Sequence, residues 1–343
     1  MPLKIGLIFL HGSGSNGNEM RNILNTLPLE TYKYNSFVDI LINNLGWELK
    51  TPTADMIPYD VCDGEVMNCW FNRKSTFQWN GLNDNYEDIY HINKSIIKIF
   101  ENVIELIDNG CDKVFIGGFS MGGCQALHFL TEYTKCNSNI NSKYYYLLDK
   151  IIGIFCISSF LIHDSVVNTS LEEYTKYSNN SNTNTKNSNN TNNSNTSSTN
   201  DTYTHTPFPE VFIGHGANDG LIHHKWGSAT ATNLMLNSNH QVDVQFKLYG
   251  DESVGAVNGM DIEIGEDGRY NIKTNIANTT NTHNTPTNTH TNTSSKQQLV
   301  DHELTSEELT DILDWMKYIC SKYDSNGTNN NNNHNNKNHT NTN

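Results

Sequence analysis

The chain has 343 residues, with 22 Lys and Arg against 37 Asp and Glu and a formal net charge of −15 at pH 7. This acidic balance, without a basic stripe anywhere, argues against nucleic acid as a partner. No segment approaches the about 20 consecutive apolar residues that a bilayer-spanning helix requires. The seven cysteines, an odd number without paired spacing, are typical of a reducing cytoplasm, where we expect the protein.

Segments dominated by Asn, Ser and Thr divide the chain. They bury too little apolar surface to offset the entropy of ordering, so we expect them to be disordered. We predict one domain over residues 1–323, interrupted by inserts at about 166–206 and about 251–299, and followed by a disordered tail at 324–343. In the second insert, two alternatives stay open for Val254 to Tyr270, a small ordered flap over the active site or a surface expansion that never contacts the substrate, and Lys273 to Ser295 is expected to be disordered. About 230 residues remain, a normal size for one α/β domain.

Strand-like and helix-like stretches alternate along the remaining chain. The predicted strands are Ile5 to Leu10, Trp47 to Pro52, Lys113 to Gly117, Ile151 to Ile157, Val211 to His215 and Val242 to Tyr249. Predicted helices cover Tyr86 to Asn109 and Met121 to Tyr133, and a last helix begins at Thr305, which forms a capping box with Glu308. This alternation predicts an α/β fold with a mostly parallel sheet covered by helices on both faces.

The motif Gly118-Phe119-Ser120-Met121-Gly122 lies where a predicted strand turns into a predicted helix. G-x-S-x-G at such a junction is typical of a nucleophile elbow, in which a tight turn admits only glycine on either side of a strained serine. A serine hydroxyl is a weak nucleophile at neutral pH, so it needs a base and an acid that orients the base. We therefore predict Ser120 as a catalytic nucleophile.

The acid and the base are expected to follow the serine in that order. Asp219 comes just after the end of the strand Val211 to His215, at the sheet edge where catalytic groups collect. His302 directly precedes the capped last helix and is the predicted general base. His163 and His205 are the alternatives for the base, although both precede the acid. The remaining candidates are interpreted as surface histidines, since His223 and His224 lie side by side at a helix start and His283 and His290 lie in low-complexity sequence.

An oxyanion hole built from backbone N–H groups completes such a site. Met121, which follows the nucleophile, is expected to supply one donor. The second is expected from Ser13 in the glycine-containing loop after the first strand. As a nucleotide-binding loop this segment lacks both G-K-[ST] and a full G-x-G-x-x-G, so that alternative is weak.

Several motifs in the same order resemble the acyl-protein thioesterase and lysophospholipase family of serine hydrolases. They are Phe9 to Gly14, Cys69 to Arg73, Gly117 to Cys124, Ile157 to Leu161, His215 to Asp219 with Trp226, and His302 to Thr305. The resemblance implies an α/β-hydrolase fold, a triad of Ser120, Asp219 and His302, and oxyanion donors at Ser13 and Met121. It departs from the family at the two inserts, which bear on substrate access.

The resemblance also implies hydrolysis of acyl thioesters, as in a palmitoyl-protein hydrolase, or of carboxylic esters, through an acyl-serine and without a metal or cofactor. Expected substrates are S-acylated proteins, lysophospholipids or small acyl esters, with Trp70 and Phe71 contacting the substrate and at most transient contact with a membrane surface. Two alternatives stay open: a short-chain carboxylesterase or lysophospholipase, and a catalytically silent module that binds an acyl group or a protein.

Overall fold

The computed structural model describes residues 3–73, 87–139, 142–162, 164–187, 206–250, 260–264, 270–274 and 302–331. Its strands are β1 (Ile5–Leu10), β2 (Pro28–Leu29), β3 (Asn35–Ser36), β4 (Glu48–Lys50), β5 (Met56–Tyr59), β6 (Glu65–Asn68), β7 (Lys113–Phe119), β8 (Ile151–Ile157), β9 (Glu210–Gly216), β10 (Val244–Tyr249), β11 (Met260–Ile264) and β12 (Tyr270–Thr274). Its helices are α1 (Gly17–Thr26), α2 (Phe37–Asp39), α3 (Ile89–Asp108), α4 (Met121–His128), α5 (Leu130–Ser138), α6 (Val166–Asn187), α7 (His224–Asn237) and α8 (Ser306–Asn331). Among these helices, none is both long and apolar enough to cross a membrane.

A six-stranded parallel sheet with the order β10-β9-β8-β7-β1-β4 forms the centre of the fold. β1 pairs with β7 along its whole length, from Ile5 opposite Lys113 to Leu10 opposite Gly118. The strand order changes direction at β1, and the crevice beyond the carboxyl ends of strands at such a point is where α/β sheets bind ligands. The predicted α/β class with a mostly parallel sheet is confirmed.

Different helices cover the two faces of the sheet, because alternate residues of a strand point to opposite sides. In β1, Leu7 and Phe9 belong to the same buried cluster as side chains of α1 and α8. Ile8 and Leu10 belong to a second cluster, with side chains of α3 and α4. β8 is buried at every residue, as expected for a parallel strand covered on both faces.

Most predicted elements are present, with shifted ends. The strand predicted to end at Gly117 runs on to Phe119, so it delivers the next residue, Ser120, directly to the sheet edge. The helix predicted from Met121 to Tyr133 is instead two helices, α4 and α5, on either side of Phe129. The antiparallel hairpin of β5 and β6 was not predicted.

The first part of the insert predicted at about 166–206 is a packed helix, so the predicted start of this insert was too early. α6 occupies its first part, and Val167, Leu171 and Tyr174 on this helix are buried. The helix packs against α5 and α7. Its apolar residues recur at helical spacing, a signal that the surrounding Asn, Ser and Thr obscured. Residues 188–205 lie outside the described part of the chain.

Two further predicted segments are partly described. Inside the insert at about 251–299, β11 and β12 form an antiparallel pair with Ile262 opposite Ile272. This pair overlaps the predicted flap, and β12 extends to Thr274, into sequence predicted to be unstructured. α8 continues to Asn331, so the first part of the tail predicted to be disordered from 324 is helical. The other residues of both segments lie outside the described ranges.

Candidate active site

Ser120 lies at the turn between β7 and α4. Its backbone has φ 55° and ψ −126°, a conformation that costs an L residue about 1–3 kcal/mol. The turn is tight on both sides: a Cβ on Gly118 would lie 2.5 Å from the Gly122 carbonyl carbon, and a Cβ on Gly122 would lie 2.4 Å from the Leu10 oxygen. The Ser120 N–H donates to the Ile157 oxygen at 2.9 Å. The strained turn predicted from the glycine spacing is therefore present.

His302 and Asp219 form a hydrogen-bonded pair at the same sheet edge. Asp219 lies in the loop after β9, His302 precedes α8, and His302 Nδ1 is 2.8 Å from Asp219 Oδ2. Because a carboxylate only accepts, Nδ1 carries a hydrogen, and in a neutral ring the lone pair is then on Nε2. Nε2 is buried without a hydrogen-bond partner in the described residues. The ring packs on Phe119, immediately before Ser120, with ring centroids 4.8 Å apart.

The Asp219 carboxylate is surrounded by donors. Oδ1 accepts from the N–H groups of Leu221 at 2.9 Å and Ile222 at 2.8 Å. His215 Nε2 lies 2.9 Å from the Ile222 oxygen and 3.5 Å from Asp219 Oδ2. Burial alone would raise the pKa of Asp219, but the hydrogen bonds from His215, His302 and Ile222 outweigh burial and hold it well below its usual range. Asp219 therefore stays ionised and keeps His302 in one tautomer.

The loop after β1 lies directly against the nucleophile, since a Cβ on Gly12 would be 3.3 Å from Ser120 Cβ. His11 holds this loop. Its Nδ1 is 2.6 Å from the Gly12 oxygen, and its Nε2 accepts from the Ala54 N–H at 3.0 Å. Burial lowers the pKa of His11, which fits a neutral ring that donates from Nδ1 and accepts at Nε2. Ser13, the predicted oxyanion donor, follows Gly12 in this fixed loop.

Trp70 and Phe71, predicted to contact the substrate, lie in the core instead. Their exposed fractions are 0% and 1%. The Trp70 indole N–H donates to the His11 oxygen at 2.8 Å, and Phe71 packs edge-on against His128 with centroids 5.0 Å apart. The prediction is corrected because side chains without accessible surface cannot form the wall of a groove. Trp70 supports the loop that carries Ser13.

The capping box of α8 fixes the segment that carries His302. Glu308 Oε2 accepts hydrogen bonds from the N–H of Thr305 at 2.8 Å and from the hydroxyl of Thr305 at 2.9 Å. In return, the Glu308 N–H donates to the Thr305 hydroxyl at 3.2 Å. Glu308 is 1% exposed and lines a cavity of about 180 Å³ together with Asp219 and Tyr249. Burial first, and then the charge of Asp219, raise the pKa of Glu308 to about 7, against the effect of the Thr305 hydrogen bonds.

These residues form a nucleophile, a base and an orienting acid at one edge of the sheet. A neutral imidazole whose Nδ1–H is bound to a carboxylate presents Nε2 as a proton acceptor, which is the arrangement used for acyl transfer to a serine. The described part of the chain holds no group of three or more His, Cys, Asp and Glu side chains suited to a metal ion. His163, His205, His283 and His290 lie outside the described residues, and His223 caps α7.

Sequence reasoning missed the supporting residues. His215 was noticed only as part of a motif, and its contact with Asp219 became visible only in the structure. Ser159, likewise part of a motif, donates its hydroxyl to the Ser120 oxygen at 2.7 Å. Glu308 was predicted as a helix cap, and nothing in its spacing indicated that it shares a cavity with Asp219. For His215 and Ser159, the only signal available was a polar side chain in the last residues of a strand or just beyond them.

Comparisons with a family model and with curated proteins agree on one family. Residues 2–181 match the family described as phospholipase/carboxylesterase. A curated relative, lysophospholipase-like protein 1 of Mus musculus, is 28% identical over 231 residues, which cover 66% of this chain and 72% of the relative. Acyl-protein thioesterase 1 of Cryptococcus neoformans is 22% identical over 240 residues, covering 69% and 75%.

Solved structures share the fold. Acyl-protein thioesterase 2 of Zea mays has a TM-score of 0.53 at 17% identity, covering 93% of this chain and 95% of that protein. Arabidopsis thaliana SOBER1 has a TM-score of 0.52 at 14% identity, covering 92% and 99%. At these identities the likeness concerns the fold alone, which is that of the α/β hydrolases.

Proposed function

Because the chain belongs to the phospholipase/carboxylesterase family and is therefore a hydrolase that acts on esters, we propose that it cleaves acyl thioesters or carboxylic esters through a covalent acyl-serine. Ser120 is the nucleophile, His302 the general base and Asp219 the acid that orients the base. One observation carries the proposal. Ser120, strained at φ 55°, directly follows Phe119, on which the His302 ring packs, and His302 Nδ1 is 2.8 Å from Asp219 Oδ2.

The reaction has two proton-balanced steps. His302 Nε2 takes the proton from Ser120 Oγ as Oγ attacks the acyl carbon, and then gives it to the leaving thiolate or alkoxide. In the second step, His302 Nε2 takes a proton from water as the water oxygen attacks the acyl carbon. It then gives this proton to Ser120 Oγ, so the carboxylic acid product leaves and Ser120 is restored. The N–H groups of Ser13 and Met121 bind the oxyanion of both tetrahedral intermediates. Neither step calls for a metal or an organic cofactor.

For the substrate we propose S-acylated proteins, with short-chain carboxylic esters and lysophospholipids as the alternatives. Support comes from relatives named acyl-protein thioesterase 1 and lysophospholipase-like protein 1. The discriminating experiment compares acyl-cysteine peptides, aryl esters and lysophospholipids over a series of acyl-chain lengths. Preference for the acyl-cysteine peptides supports the thioesterase, and equal or better turnover of soluble aryl esters identifies a carboxylesterase.

Labelling with a fluorophosphonate tests the chemistry itself, since this reagent modifies an activated serine and leaves an ordinary one untouched. We expect the wild type to be labelled and Ser120→Ala to be unlabelled. Turnover should fall by about 10⁶-fold in that variant, as in other hydrolases that lose the nucleophile. Ser238→Ala is the matched control, because Ser238 is a buried serine on the far end of α7. An unlabelled wild type would identify the silent binding module instead.

A further inference from the structure

We propose that Ser159 is a positioning residue for the oxyanion hole, acting through the peptide bond between Ser120 and Met121. The inference rests on the proposed function for the role of the Met121 N–H. Ser159 lies just beyond the end of β8 and is fully buried. Its hydroxyl oxygen lies 2.7 Å from the Ser120 oxygen and 2.8 Å from the Ile157 oxygen, so its one hydrogen is shared between an acceptor at the β8 end and one at the nucleophile turn.

The geometry of the peptide unit links this hydroxyl to the oxyanion donor. A trans peptide is planar, so the C=O of Ser120 and the N–H of Met121 point in opposite directions from one rigid plane. The Ser120 oxygen is fixed on its inner side by the Ser159 hydroxyl and by the N–H groups of Gly123 at 3.0 Å and Cys124 at 3.2 Å. The Met121 N–H is therefore directed away from the helix, on the side where the substrate carbonyl must lie.

Gly123 provides independent evidence for this contact. It lies outside the G-x-S-x-G motif, yet a Cβ at this position would be 2.1 Å from Ser159 Oγ. The absence of a side chain therefore creates the space that the hydroxyl occupies. Any larger residue at position 123 would therefore displace the Ser159 side chain from the Ser120 oxygen.

The strain at Ser120 gives the contact a function beyond filling space. With φ 55° and ψ −126°, the residue is outside the favoured regions, and its preferred relaxation rotates the flanking peptides. One such peptide carries the Met121 N–H. A buried hydrogen bond to the carbonyl of the same peptide opposes this rotation, so Ser159 keeps the donor aimed. The other predicted donor has a parallel arrangement, because His11 holds the Gly12 carbonyl of the peptide that carries the Ser13 N–H.

The kinetic test uses Ser159→Ala on the full chain, with Ser238→Ala as the control. Ser238 is also buried and donates its hydroxyl to a backbone oxygen, that of Met235 at 3.1 Å. We expect Ser159→Ala to lower kcat by about tenfold to hundredfold, less than the loss of a whole oxyanion donor, with KM within about twofold. The affinity for a trifluoromethyl ketone should fall by the same factor as kcat. Equal kcat and ketone affinity in Ser159→Ala and in the control would overturn the proposal.

A crystal structure of Ser159→Ala tests the same inference without turnover. We expect the peptide between Ser120 and Met121 to rotate and φ of Ser120 to leave its present value. An unchanged peptide would overturn the proposal even if the protein proved to be no esterase. Labelling of wild-type Ser120 by a fluorophosphonate reports separately on the proposed function, so failure of either idea is recognised on its own.

Discussion

Replacing Glu308 with glutamine is expected to stabilise the folded protein in mildly alkaline solution and to do so much less in mildly acidic solution. Glu308 is 1% exposed, and burial next to the charge of Asp219 raises its pKa to about 7 from an ordinary 4.5. The folded protein therefore binds this proton more tightly than the unfolded chain does. Glutamine keeps an oxygen that accepts from Thr305 and carries no charge at any pH, so it resembles the protonated glutamate.

The sign and size follow from linkage between proton binding and folding. Between pH 4.5 and about 7 the folded state holds more protons than the unfolded state, so the free energy of unfolding falls as pH rises. The full pKa difference corresponds to about 3 kcal/mol, at about 1.4 kcal/mol per pH unit. This contribution is present below pH 4.5 and is lost above about 7. The advantage of Glu308→Gln should therefore grow from about 1 kcal/mol at about pH 5 to about 3 kcal/mol at about pH 8.

Urea unfolding followed by tryptophan fluorescence at about pH 5 to about pH 8 measures this difference. The difference between variant and wild type is the relevant quantity, because burial lowers the pKa of His11 and His223 and these histidines change stability in the opposite direction. Glu307→Gln is the matched control, since the Glu307 side chain is 67% exposed in the same helical turn. A gap between Glu308→Gln and wild type that stays constant across this pH range would refute the reasoning.

Three more outcomes are expected. Asp219→Asn should lower kcat by about 10⁴-fold through the wrong histidine tautomer, while Asn218→Ala should change it far less; the reverse result in esterase assays would move the acid by one position. Gly118→Ala should lower stability by about 3 kcal/mol or more, because its Cβ would lie 2.5 Å from backbone, whereas Gly220→Ala, with open space around it, should melt like the wild type. Trp70→Phe should lower stability by about 1–2 kcal/mol, because the indole hydrogen bond is lost, and should leave KM unchanged. A KM raised by about tenfold would instead show that Trp70 contacts the substrate.

The chain order of strands and the place of Ser120, Asp219 and His302 were predictable because local signals determine them. Glycines mark the turn at Ser120, and strand ends mark the edge where the three residues meet. The role of Trp70 was not predictable, because an aromatic side chain near a motif has the same sequence signature in a groove and in a core. Its burial depends on α3 and the loop after β1, which are distant in sequence.

The contacts of His215 and Ser159 were missed for a related reason. Each joins residues whose relation depends on the order of strands in the sheet. Ser159 meets Ser120 only because β8 lies next to β7, and a linear sequence contains no direct sign of that neighbourhood. The start of α6 was missed because composition was averaged over a window that mixed a packed helix with Asn-rich sequence.

The packing of α8 bears on how the position of His302 depends on the length of the segment between Tyr249 and His302. Leu309, Ile312, Leu313 and Met316 are fully buried on this helix, each contributing about 1.5–3 kcal/mol, so the helix is held by its own packing. For a flexible loop, each doubling of length adds only about 0.6 kcal/mol of closure cost. The helix that follows His302 thus anchors this base through its own cap and packing, and these contacts do not depend on the length of the segment before it.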